Sequence, residues 1–147
     1  TQRSTLFPYT TLFRSQLAWL IQRADIFAAR LSPRKRRAAM SGNSAAKAAF
    51  LDENGQPDEA GMALVKSVGI YPPGSLVRLT NGEVAVVLQR GLRANQPVVA
   101  CVVSPSGMPL AMPSLRDTRR RGLEVTGGVA PHEVKVLLNV EKLLKMA

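Results

Sequence analysis

"VGIYPPGSLVRLTNGEVAVVL", Val68 to Leu88, carries the change of period on which the fold turns. At its left end Gly69 follows an apolar spacing of three and four residues, and glycine is the usual left-handed terminator of a helix. To its right, "SLVRL" and "EVAVVLQR" flank Thr80, Asn81 and Gly82. Asn-Gly between β-branched runs is a strong short-range hairpin signal, because the central residues of a tight turn tolerate positive φ. Between the two lie Tyr71, Pro72, Pro73 and Gly74. The prolines limit φ and Gly74 allows a sharp turn into the strand, so a stiff junction should hold a β module at a fixed pose against the preceding helices.

Reading outward, Leu17, Leu20, Ile21, Ala24, Phe27, Ala28 and Leu31 form the stripe of a helix over Gln16 to Leu31. Trp19 and Ile26 lie on its other side, and a helix apolar on two sides belongs inside a bundle. Pro33 ends it, and a basic loop or short helical turn follows. Ser44 is placed to cap a second, alanine-rich helix through about Leu51, with Gly55 as its stop. Pro57, Asp58 and Glu59 suit the first turn of a third, which carries Ala60, Ala63, Leu64 and Val68 inward.

Beyond the hairpin, "PVVACVVS" predicts a third strand, "EVKVLLNV" a last one, and Leu123 to Thr126 a short additional strand. "EKLLKMA" reads as a closing helical turn. The expected class is α+β: helices over residues 16–69, then a small antiparallel β-sheet or SH3-like barrel over residues 70–147.

The chain has 147 residues, 46% hydrophobic and 20% charged, with no apolar run long enough to cross a bilayer. No membrane segment is therefore expected. The single cysteine, Cys101 in "VVACVV", has no partner within the chain and reads as a small apolar side chain in a strand, which fits a reducing, cytoplasmic setting. His132, in "APHEVKV", reads as a loop residue before a strand. The net charge of +10 raises the question of a polyanionic partner. Its excess is concentrated in Arg34, Lys35, Arg36, Arg37 and in Arg116, Arg119, Arg120, Arg121. Aromatic residues make up only 5%, too few for a base-stacking platform, so composition argues against nucleic acid and reads the second cluster as a solvated surface run.

One stretch stands outside these arguments. "TLFPYTTLFRS", Thr5 to Ser15, resembles letter for letter the translation of a widely used sequencing adapter, and Arg3-Ser4 repeat its final "RS". The expectation is that residues 1–15 are an adapter-derived artefact and that the native reading frame continues upstream.

"RADIFAARLSPRKRRAAM", Arg23 to Met40, followed by a helix pair and the junction above, resembles the carboxy-terminal part of bacterial HD-GYP proteins, a branch of the HD-domain metal phosphohydrolases. The resemblance covers about Gln16 to Ala147. It implies that residues 16–69 are the last helices of an all-α HD-type bundle and that residues 70–147 are an appended β module. It further implies hydrolysis of the signalling dinucleotide cyclic di-GMP by the intact parent, at a di-iron or di-manganese centre to which Asp25 contributes one ligand. By the same resemblance Arg34 and Arg37 look toward substrate phosphates. Read from the residues alone, Asp25 is a surface or capping group and the two arginines belong to a solvated loop.

The chain departs from the family pattern at Ala28, where many members carry a second aspartate, and at Lys35-Arg36, which replace a common Pro-Tyr pair. The family's His-Asp pair and Gly-Tyr-Pro loop would lie upstream. The resemblance thus implies a fragment without catalytic residues of its own, to which no metal binds stably, while the parent takes a cyclic dinucleotide. The apolar helix, deprived of neighbours, is expected to fray or to associate, which leaves a homodimer open. The competing reading is a small basic SH3-like barrel acting as an RNA-binding or protein-docking module. A third is that the β module only buttresses the helices.

Overall fold

A computed structural model describes residues 8–51 and 54–147, with side chains from Gln16 onward. Three helices come first: α1 (Pro8–Leu31), α2 (Gly42–Phe50) and α3 (Glu59–Val68). Helix α1 reaches back to Pro8, eight residues before the expected start, and proline is well suited to a first helical position because its missing N–H has no partner there anyway. Of the stretch read as adapter translation, Thr1 to Phe7 lie outside the described residues.

Helix α2 is capped by Ser41 and not by Ser44: Ser41 is extended (φ −64°, ψ 152°), and its carbonyl accepts the first helical bond from Ala45. Helix α3 starts as its residues require. The Asp58 carboxylate accepts the Gly61 N–H at 3.0 Å, and Gly69, at φ 92°, returns its N–H to Val65 O. The buried centre of α3 is Gly61, whereas Ala63, expected inward, is exposed. Alanines 45, 46 and 49 of α2 are buried as well, so the helical layer has a thin core of small side chains.

The junction is a tight turn. Ser75 N–H returns to Pro72 O at 3.1 Å, with Pro73 and Gly74 (φ 85°) at the two central positions, the arrangement of a type II turn. Gly74 N–H donates to Val87 O and Val87 N–H to Ser75 O, so the turn is already part of the sheet before the first strand begins. Replacing Gly74 by alanine meets no neighbouring atom but forces a positive φ, and is expected to cost about 1–2 kcal/mol, read as a Tm lowered by roughly 3–6 °C.

Five strands follow: β1 (Leu76–Leu79), β2 (Val84–Gln89), β3 (Val98–Val103), β4 (Pro109–Asp117) and β5 (Val125–Val129). They form one antiparallel sheet in the order β4-β3-β2-β1-β5. The β1–β2 connection has four residues, Thr80 to Glu83, with Leu79 N–H donating to Glu83 O, and the positive φ of 89° falls on Gly82. Of the two expected forms, the pairing is that of an open sheet: β4 and β5 are its edges and are not paired with each other among the described residues.

Two of the strand assignments need correction. The sequence reading places no strand at β4, "PLAMPSLRD"; Pro109, which lacks a donor, is the first residue of this edge strand, a position where proline is tolerated. Residues 133–140, expected as the last strand, join no ladder: Glu133 ends a 3₁₀ turn, 134–139 are unpaired and Val140 begins a helix. Their alternation is nonetheless used: Val134, Val136 and Leu138 pack onto one face of the sheet while Leu137 stays fully exposed. A short 3₁₀ turn (Pro131–Glu133) precedes this segment, and helix α4 (Val140–Leu144) closes it, with Leu143 buried.

The sheet is buried on both faces by period two. Val84, Val86 and Leu88 join Leu76, Ala100, Val102 and Val129 beneath the carboxy-terminal segment. Ala85 and Val87 join Val77, Leu79 and Val99 on the other side, covered by Tyr71, Leu123 and Val125. Each such valine or leucine contributes about 1.5–3 kcal/mol when fully buried, so the sheet holds most of the apolar stabilisation among the described residues.

Candidate functional site

The residues singled out by sequence lie on and just after α1. Asp25 is exposed, one helical turn from Ile21 and from Ala28, which are exposed on the same face. Further back on this side Leu17 is 53% exposed and Ile21 is 69% exposed. Trp19 and Leu20 are also open, lining with Ala60 and Ala63 a shallow apolar groove between α1 and α3. Helix α1 thus half-buries one side against α2 and α3 and leaves Asp25, with Ile21 and Ala28, on an exposed side.

The register of α1 against α3 is set by one ion pair. Arg23 Nε donates to Asp58 Oδ2 at 2.8 Å, and both side chains are largely withdrawn from water. Burial raises the Asp58 pKa, but the Arg23 guanidinium and the Gly61 N–H outweigh it and hold the carboxyl below its ordinary value. Asp58 therefore joins two tasks, capping α3 and locking it to α1.

The basic residues after α1 are organised as a helix stop. Arg34 and Arg37 exchange backbone hydrogen bonds at 2.9 and 3.0 Å across a tight turn, not a helical one. The last carbonyls of α1 are then satisfied in succession. Ser32 donates to Ala28 O, the Arg37 guanidinium to Ala29 O, and the Met40 N–H to Arg30 O. A cation suits that position because unpaired carbonyls give the helix end partial negative charge. The Arg34 side chain is exposed.

Among the described residues no group of three or more His, Cys, Asp or Glu side chains converges to hold a metal. Asp25 alone does not make a dinuclear site, which needs several ligands to fix two ions. His132 is exposed in the 3₁₀ turn, before the unpaired segment and not before a strand.

Sequence reasoning missed the one buried charged pair of the sheet. Glu83, 6% exposed at the start of β2, accepts two parallel bonds from Arg116 of β4, Nε to Oε2 and Nη2 to Oε1, each 2.9 Å. The bond spans the intervening strand β3. Arg116 is therefore not part of a solvated run, and Arg119 is turned onto Asp117; of that cluster Arg120 and Arg121 are exposed, with no ion pair among the described residues. The Arg116 hydrogen bonds, against the cost of burial, hold the Glu83 carboxyl below its usual range.

Cys101 of β3 is fully buried and free, donating weakly to Val103 O at 3.2 Å. Burial, helped by the Glu83 charge, pushes its thiol up to about 11. A thiol so protonated is no nucleophile at neutral pH, so Cys101 acts as packing. No helix among the described residues is long and apolar enough to cross a membrane. No protein-family model, curated protein or solved structure matches the chain.

Proposed function

We propose that the chain is the carboxy-terminal part of an HD-GYP-type metal phosphohydrolase acting on a cyclic dinucleotide such as cyclic di-GMP, and that it is catalytically inert by itself. In this reading α1 to α3 are the last helices of a larger bundle, Asp25 supplies one carboxylate to a di-iron or di-manganese centre, and Arg34 and Arg37 flank the substrate phosphates. The sheet braces α1 through the junction turn and the α2 contact with β5. The observation that carries the reading is the position of Asp25 on the open apolar face of α1, in register with Ile21 and Ala28. A carboxylate there would meet whatever helix covers that face, and hard oxygen ligands suit such ions.

The test joins the chain to its native upstream reading frame and measures cyclic di-GMP hydrolysis together with bound iron and manganese. Turnover is expected for the joined protein and none for the 147-residue chain. Asp25→Asn in the joined protein should lose bound metal and turnover together. Unchanged metal content in that variant, or metal-dependent turnover by the short chain, would overturn the assignment.

A further inference from the structure

The end of the sheet opposite the β1–β2 hairpin carries a groove of about 790 Å³, bounded by the loop from Arg90 to Pro97 and the loop from Thr118 to Glu124. Both loops leave the sheet at the same end because β2 and β4 run in the same direction in an antiparallel meander. They are tied together at the base. Thr118, 1% exposed, donates its hydroxyl to Pro97 O at 2.7 Å. Arg90 spans to the helical layer, donating to Ser67 O, and Arg116 is fixed by Glu83. The walls are thus held by buried or interlocked groups.

The lining combines two chemistries. Arg90, Arg116, Arg119 and Arg120 face a single lining carboxylate, Asp117, which is itself bonded to Arg119. Beside them stand Leu92, Val98 and Leu115, exposed by 95%, 40% and 53%. No aromatic ring lines the groove, so bases would find nothing to stack on. Open leucine and valine side chains between arginines match a ligand that alternates carboxylates with apolar groups. Moreover, Leu115, Arg116 and Asp117 end the edge strand β4, whose outer side pairs with no other strand among the described residues. Such an edge offers main-chain hydrogen bonds that an extended peptide can take up.

We propose that this groove is a docking site for an extended acidic peptide segment of a partner protein, its carboxylates set against Arg90, Arg119 and Arg120 and an apolar side chain seated between Val98 and Leu115. The site lies on the sheet, away from α1, and does not depend on the hydrolase reading.

The probe is a short fluorescein-labelled peptide in which glutamates flank a central leucine, titrated by fluorescence anisotropy into the full 147-residue chain. A lysine-for-glutamate peptide and a labelled oligouridine of similar length serve as alternatives. The acidic peptide is expected to bind in the micromolar range and to weaken about fivefold or more on raising salt from roughly 50 to 200 mM. Arg120→Glu and Leu115→Ser, both at exposed positions, should each weaken it by about fivefold or more while leaving the far-UV circular dichroism and Tm unchanged. Failure of the acidic peptide to bind, indifference to Leu115→Ser in a folded variant, or tighter binding of the oligouridine would each overturn the proposal.

Discussion

Replacing Gly61 by valine is expected to lower the stability of the chain by about 2–4 kcal/mol, with Tm falling roughly 10 °C. A Cβ at this position would run into Ala49 O and the backbone of Phe50, at the crossing of α3 with the end of α2. Two effects oppose each other. Leaving glycine improves intrinsic helix propensity by at most about 1 kcal/mol, and less for a β-branched residue. The obstruction wins because the atoms in the way are main chain and cannot swing aside. Separating α2 from α3 would also loosen the bond from Asp58 N–H to Phe50 O, and with it the cap that Arg23 holds. As a control, Ala63→Val, at an exposed position of the same helix, should change stability by less than about 1 kcal/mol. Thermal melts followed by circular dichroism check both, and a Gly61→Val protein melting with the parent chain would contradict the close approach.

Glu83→Ala is the second large effect. Removing the carboxylate leaves the Arg116 guanidinium, only partly open to water, without its partner above the buried Cys101, and is expected to cost about 2–3 kcal/mol. This lies below the range for fully buried pairs, because Arg116 can recover some hydration. The loss should depend on pH in a defined sense. The folded-state pKa of Glu83 is depressed, so its contribution is fully present above the unfolded value, about 4.3, and disappears as pH falls through the lower folded value. The Tm difference between the parent and Glu83→Ala should therefore be constant from neutral pH down to about pH 5 and should shrink below about pH 4. A difference that stays the same at low pH would mean that packing, not the ion pair, supports β2 against β4. Asp58, also depressed, adds to acid lability in both proteins and does not alter the comparison.

These two sites illustrate where sequence reasoning stops. Nothing within the sequence of α3 shows that the α2 backbone lies across Gly61. Glu83 and Arg116 are 33 positions apart, and their pairing requires β3 to lie between their strands. Arg116 therefore read as one more member of a basic run. The only local hint was a charged residue at the head of a strand whose following five residues are all apolar, a position where an unpaired carboxylate would be costly.

What the amino-acid order determined unaided is what depends on a few adjacent residues. Pro73-Gly74 set the junction turn, Asp58 capped α3, Gly69 stopped it, Asn81-Gly82 reversed the chain into β2, and period-two alternation filled both faces of the sheet. Each follows from backbone sterics or from a donor and acceptor within hydrogen-bond reach along the chain. Tertiary structure alone decided the rest. It placed proline-bearing β4 at an edge, denied residues 134–139 a ladder while still using their apolar side, turned Arg37 onto the end of α1, and left Asp25 on an open face. Those outcomes depend on which distant segment packs best against a given surface. A hydrogen-bonding edge or apolar face accepts many partners of similar local pattern, and only the packing of the whole chain selects among them.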